Sequence, residues 1–131
     1  MRVVLCHGVF DLLHVGHIEH LKQAKEFGDR LVVSVVADKH VSKKLRVCDQ
    51  EERVIMLSAV RYVDDVILCD APGPEMVIEQ LRPDVYVRGS EYVVKSMPEE
   101  AVLVRLGIPV MYTASIPIHT TGIIERIRGK G

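Results

Sequence analysis

Two rhythms alternate along this chain. Short runs of mostly β-branched residues, "RVVLC", "DRLVVSVVAD", "DDVILC", "PDVYVRG" and "IPVMYT", read as strands. The second is apolar almost without break, as a strand covered on both faces should be. Between the runs lie segments with helical spacing. "VGHIEHLKQAKEFG" places Ile18, Leu21, Ala24 and Lys25 on one face and ends at Gly28, a natural C-terminal cap. "QEERVIMLSAVRYV" spaces Val54, Leu57, Ser58 and Arg61 for one face. "GPEMVIEQL" opens with Pro74, and "MPEEAVLVRLG" has Pro98 near its start and Gly107 just past its end. "TTGIIERIRGK" predicts a closing helix with Thr120 as its N-cap.

Strands separated by helices imply a parallel sheet with right-handed crossovers. The expected fold is α/β, a doubly wound Rossmann-like parallel sheet of about five strands, and residues 1–131 read as a single domain without repeats or linkers. Composition narrows the classes. With 17 basic and 18 acidic side chains the net charge is -1, which argues against a nucleic-acid coat or a polybasic membrane anchor. The longest apolar runs are too short to span a bilayer, and "MRVVLCHG" lacks the pattern of a signal peptide. The three cysteines, Cys6, Cys48 and Cys69, form no C-x-x-C pair. A reducing compartment, the cytoplasm, is the expected address.

In an open parallel sheet the ligand sits beyond the C-terminal strand edge. The densest polar stretch, "CHGVFDLLHVGH", follows the first strand and so lies on that edge. Asp38, Arg88-Gly89-Ser90 and residues 113–121 also follow strands and should gather there. His14 and His17 flank Gly16 at the start of the first helix, where unpaired N–H groups and the dipole favour phosphate. Gly8 and Gly16 remove side chains where a polyphosphate would approach the backbone. Two imidazoles there can donate hydrogen bonds to phosphate oxygens as charge builds in a transition state. The residues alone point to an anion site and phosphoryl chemistry.

"GVFDLLHVGH" resembles the nucleotidyltransferases that carry an H-x-G-H motif after the first strand of a Rossmann-like fold. These include the glycerol-3-phosphate cytidylyltransferases and the adenylyltransferase half of the bifunctional heptose-phosphate enzymes. The resemblance continues through "GDRLVVSVVAD", "EERVIMLSAVRYVDDVI", "RPDVYVRGSEY" and "HTTGIIERI". It implies attack of a substrate phosphate on the α-phosphorus of a nucleoside triphosphate, with release of pyrophosphate and no covalent enzyme intermediate. It further implies that His14 and His17 contact the α- and β-phosphates and that the backbone at Val9 and Phe10 cradles the nucleotide. Lys44 and Arg46 match the family's basic phosphate contacts, and Arg88 and Gly89 fall in its nucleotide-binding region. A Mg²⁺ ion bridging triphosphate oxygens is implied too, as is a small phosphorylated acceptor. Relatives often pair, so a homodimer is expected.

The resemblance makes the late segment the family's second nucleotide-binding motif, which usually ends in Ser-Thr-Thr or Ser-Ser-Thr. Here it reads Ile118-His119-Thr120-Thr121, with His119 in place of the serine and two threonines whose hydroxyls and N–H groups can meet a phosphate or ribose. The glycerol-3-phosphate enzymes carry an arginine at its front, where Ala114 stands. "RPDVYVRGSEY" looks more like the adenylyltransferases, so ATP is favoured over CTP. The alternatives are a CTP-dependent, glycerol-3-phosphate type enzyme and a nucleotide-binding module whose catalysis has lapsed.

Several residues keep two readings. Asp11 either braces the loop or touches substrate. Asp38, at a strand end, is expected to face the substrate. Lys43, Lys44 and Arg46 serve phosphate or form a solvated basic loop. Arg53 and Arg61 can pair with Glu52 and Asp64 as structural ion pairs. His20 is expected on the helix surface, since its spacing from His7 and Cys6 is loose for zinc.

Overall fold

The central strand β1 (Val3–Gly8) is buried on both sides, with Val4, Leu5 and Cys6 fully inaccessible. That double burial explains its continuous apolar run. In the computed structural model, residues 1–42, 44, 46–90 and 97–114 are described. After β1 come α1 (Val15–Lys25), β2 (Arg30–Val36), a 3₁₀ turn (Asp38–His40), α2 (Gln50–Ser58) and β3 (Asp65–Cys69). Then follow α3 (Glu75–Leu81), β4 (Val85–Gly89), α4 (Glu100–Leu106) and β5 (Val110–Thr113). The five strands are all parallel, in the order β3-β2-β1-β4-β5. Strand order therefore reverses between β1 and β4, and the crevice between their C-terminal ends is where such a sheet takes a ligand.

Strand alternation sends side chains to two cores. On one face Val4 and Cys6 pack with Leu21 and Ala24 of α1 and Leu57 of α2. On the other, Leu5 packs with Val77 and Ile78 of α3 and Leu103 of α4. Each fully buried Leu or Val stabilises by roughly 1.5–3 kcal/mol. The sheet is thus doubly wound, as the pattern predicts.

The two edges of the sheet are built differently. At the N-terminal edge three aspartates satisfy N–H groups at or just before the strand starts. Asp29 accepts from Arg2 (2.7 Å), Asp84 from Val3 (2.7 Å) and Asp64 from Leu31 (2.7 Å). That edge is sealed by structure, and the unusual polar chemistry lies at the other end.

Three expectations about helix ends are corrected. α1 stops at Lys25 with Glu26 as its C-cap. Gly28 is required for space instead, because a Cβ there would lie 2.6 Å from the Arg2 carbonyl oxygen. α2 stops at Ser58, where the Ala59 N–H bonds back to both Ile55 and Met56, so Arg61 lies beyond the helix. Its buried positions are Arg53 and Leu57. Pro74 is the N-cap of α3 and not its first helical residue. Gly107 does cap α4 in the left-handed conformation (φ 69°). The closing helix expected after Thr120 lies outside the described residues.

Candidate active site

α1 begins with an unusual cap. His14 is the N-cap residue, and its Nδ1 accepts the Gly16 N–H at 3.0 Å. His17, at the third helical position, returns the bond: its Nδ1 accepts the His14 N–H at 3.3 Å. The pair forms a capping box in which imidazoles do what Ser and Glu ordinarily do. Two orphan N–H groups of the helix are satisfied, and the rings lie tilted against each other with centroids 4.1 Å apart. The bonding also fixes chemistry. A neutral imidazole whose Nδ1 accepts must carry its proton on Nε2. Both rings are therefore set as Nε2–H donors at the helix N-terminus. Burial pushes His17 down to about 4, and the charges of His14 and His20 add to this against an opposing contact with the Leu12 backbone. At neutral pH it donates a hydrogen bond without carrying charge.

The loop before α1 is held in a strained shape. Phe10 has φ 51°, left-handed backbone that a bulky residue adopts only at a cost of about 1–3 kcal/mol. Its ring is buried and meets His17 edge-on, with centroids 5.9 Å apart. Gly8 gives that ring room, since a Cβ there would come within 3.0 Å of Phe10 Cε2.

What holds the loop is Arg53, which is fully buried on α2. One terminal nitrogen donates to the carbonyls of Val9 (2.9 Å) and Val36 (2.8 Å), and the other to Asp38 Oδ1 (2.8 Å). The expected pairing of Arg53 with Glu52 is not formed; Glu52 completes the α2 capping box with Asp49 instead. Asp64 pairs with Lys25, and Arg61 lies over the Tyr62 ring. Asp11 acts as a brace, accepting the N–H groups of Val47 (2.7 Å) and Cys48 (2.8 Å). It ties the β1–α1 loop to the basic loop that follows the 3₁₀ turn.

In that basic loop Lys44 is exposed. Arg46 lies 3.4 Å from Asp38 Oδ2, and its Nε is buried without a hydrogen-bond partner among the described residues. Asp38 is thus shared by two arginines. Burial pushes its carboxyl up, but hydrogen bonds from Arg53 and the Gln50 backbone, with the charges of Arg46 and Arg53, bring it below the usual carboxylate range. Lys43 lies outside the described residues.

Arg88 and Gly89 end β4, with Gly89 in register with Thr113. His20 is not a free surface residue: its Nδ1 lies 2.6 Å from Thr113 Oγ1. Gln23, three residues on, takes both backbone groups of Ala114, accepting its N–H at 2.7 Å and donating to its carbonyl at 3.2 Å. His119, Thr120 and Thr121 lie outside the described residues. The structure thus brings Gly8, Val9, Phe10, Asp11, His14, Gly16, His17, Asp38 and Arg46 around one loop system.

Sequence reasoning missed the role of Arg53, though its i, i+4 spacing with Leu57 on the buried face was a signal. Among the described residues no group of three His, Cys, Asp or Glu side chains is placed to hold a metal ion. Nor is any helix among them long and apolar enough to cross a membrane.

Known proteins resemble this chain over most of its length. The bifunctional protein HldE of Koribacter versatilis is 44% identical over 101 residues, 73% of this chain and 21% of that protein. HldE of Geobacter sulfurreducens is 38% identical over 96% of this chain and 27% of its own length. The chain therefore spans about a quarter of these relatives. The crystal structure of the lipopolysaccharide core biosynthesis protein from Thermoplasma volcanium superposes with a TM-score of 0.72 at 31% identity, covering 91% of this chain and 99% of that one. The cytidylyltransferase-like family profile matches residues 5–126, so it takes in the β1–α1 loop, both capping histidines and the basic loop. The chain belongs to the cytidylyltransferase-like family.

Proposed function

We infer that the chain is a nucleotidyltransferase that moves a nucleoside monophosphate, AMP in preference, from a nucleoside triphosphate to a small phosphorylated sugar or polyol. An oxygen of the acceptor phosphate attacks the α-phosphorus, the bond to the β-phosphate bridging oxygen breaks, and pyrophosphate leaves. The carrying observation is the reciprocal cap of His14 and His17, which sets two Nε2–H donors at a helix N-terminus beside the crevice. Such a step needs positioning and charge stabilisation more than covalent chemistry. Lys44 and Arg46 supply positive charge to the triphosphate, and the backbone of Gly8, Val9, Phe10 and Gly16 lies against the nucleotide. Arg88, Gly89, His119, Thr120 and Thr121 complete the nucleotide contacts.

Mg²⁺ fits this arrangement as a passenger on the triphosphate. Asp38 is already engaged by two arginines, so few carboxylate oxygens remain for a protein cage. Mg²⁺ commonly keeps its waters and binds through substrate phosphates, whose charge it would neutralise. AMP is favoured because Ala114 brings no cation to the place where the cytidylyltransferases that this chain resembles have arginine. A cytoplasmic setting suits such small substrates.

The test is pyrophosphate release from each of the four nucleoside triphosphates with Mg²⁺, against a panel of phosphorylated sugars and polyols. ATP-dependent release with at least one acceptor is expected. Activity with CTP alone overturns the adenylyl assignment, and nucleotide binding without turnover leaves a lapsed module.

A further inference from the structure

Across the sheet from the two capping histidines, the same C-terminal edge carries polar groups that the nucleotide reading does not use. Strand alternation puts His7 on the face of Leu5, and Ser34 on that of Val32, the side covered by α3 and α4. His7 is half-buried, and its Nδ1 lies 3.1 Å from Oγ of the fully buried Ser34. No hydrogen bond is formed by its Nε2 among the described residues. On β4, just across the switch point, the Tyr86 hydroxyl donates to Glu99 Oε2 at 2.6 Å. Tyr86 and Glu99 are 2% and 6% exposed. Leu5 and Tyr86 are register partners packed in the same core, and His7 stands two residues beyond Leu5 on that face, so both polar pairs belong to one side of the β1–β4 junction. Burial lowers the proton affinity of His7, and the Glu99 charge opposes this.

A carboxylate and an imidazole in such a place weaken a fold unless they are used, because buried polar groups are costly when incompletely bonded. Leu5, Val32 and Ile78 fill the same face lower in the sheet.

We propose that His7, oriented by Ser34, and Glu99, oriented by Tyr86, bind the hydroxyl-bearing body of the phosphorylated acceptor. The proposal rests on the nucleotidyltransferase reading. In that reaction the acceptor must approach the α-phosphorus from the side away from the leaving pyrophosphate. The phosphate-binding groups belong to the α1 and α2 side of β1, which leaves the α3 and α4 side for the incoming molecule. Charge sorts the two ends. Glu99 accepts hydrogen bonds from hydroxyls and repels phosphate, so the acceptor enters with its phosphate towards His14, His17 and Lys44. His7, with Nδ1 engaged by Ser34, presents Nε2 to a second hydroxyl.

The experiment compares wild type, His7→Leu, His7→Gln and Glu99→Gln. Pyrophosphate release from ATP and Mg²⁺ is followed with sn-glycerol 3-phosphate and mannose 1-phosphate as acceptors, and ATP affinity is measured by calorimetry. Loss of a hydrogen bond to substrate should raise the acceptor KM in His7→Leu by about tenfold to a hundredfold. ATP affinity should stay within about twofold, since the two subsites lie on opposite faces. His7→Gln, whose amide can still donate, should recover most of the loss. Should His7→Leu fail to fold, Ser34→Ala, which frees the ring without removing it, should raise the acceptor KM less steeply. An unchanged acceptor KM, or ATP and acceptor constants rising together, overturns the acceptor site while leaving the nucleotidyltransferase reading intact. A wild-type protein that binds ATP but releases pyrophosphate with no member of the panel of phosphorylated sugars and polyols sinks both.

Discussion

Arg53 and Asp38 meet at 2.8 Å, the arginine fully buried and the aspartate on the rim, and through this pair the core of α2 sets the shape of the candidate site. The same guanidinium holds the Val9 carbonyl next to the strained Phe10. Breaking it should therefore cost both stability and geometry. Removing one partner of a buried, hydrogen-bonded charge pair costs about 3–5 kcal/mol, less where one side meets water as Asp38 does. Arg53→Met should lower the urea midpoint strongly. The double variant with Asp38→Asn should lose less than the sum of the two single losses. Asp38 also gives the pair an acid limit. Its folded pKa is below the ordinary 3.8, so its contribution is complete above that value and is lost as pH falls through the folded pKa.

The capping histidines invite a separation of structure from chemistry. His14→Ala removes the N-cap and should cost about 0.5–2 kcal/mol of stability. His14→Asn keeps a strong capping side chain and should retain most of it. Both should lose about 10²–10³ in kcat if the Nε2–H stabilises charge at the α-phosphorus. Urea titration and steady-state kinetics on the two variants would check this. Full activity in His14→Asn would leave the ring with capping alone.

His17 gives a pH signature. Its folded pKa, about 4, lies below the ordinary 6.5 because of burial and then of the neighbouring histidine charges. As pH falls below 6.5 the unfolded chain takes up this proton first. Stability should decline from about pH 6.5 to about 4, by up to ~1.4 kcal/mol per pH unit, and this contribution should level off below. His17→Gln keeps a capping-box side chain at the third position and should flatten the slope. It should not abolish it, because His7 is lowered by burial too. Urea midpoints measured every half unit decide the matter.

Much of this was legible in the chain. The strands are unbroken apolar runs because each inner strand is covered on both faces, and Gly107 marks a helix end because that end needs left-handed backbone. The rim position of "HGVFDLLHVGH" followed from the parallel sheet alone. Arg53 was not legible as a keystone. Beside Glu52 it looks like half of a surface pair, and its burial is offset by carbonyls of Val9 and Val36, which only the folded sheet brings to it. The link between His20 and Thr113 escaped for the same reason, since 93 positions separate them.

One helix couples the two halves of the candidate site. α1 begins with His14 and His17, and further along the same helix His20 and Gln23 grip the end of β5. Gln23 engages both the N–H and the carbonyl of Ala114, so the chain is held at Ala114, upstream in sequence of His119, Thr120 and Thr121. Gln23→Ala removes both bonds from a partly exposed place, where each contributes about 0.5–1.5 kcal/mol. The fold should survive with a modest loss of stability. If the late motif binds nucleotide, the NTP KM should rise by about three- to thirtyfold while kcat changes little, because a binding segment loses its anchorage and the charge-stabilising rings do not. His20→Gln should produce a smaller effect in the same direction. The measurement is the KM and kcat of both variants against ATP at saturating acceptor. A fall in kcat with unchanged KM would mean that the grip on Ala114 serves the orientation of α1, and that the late segment takes no part in holding the nucleotide.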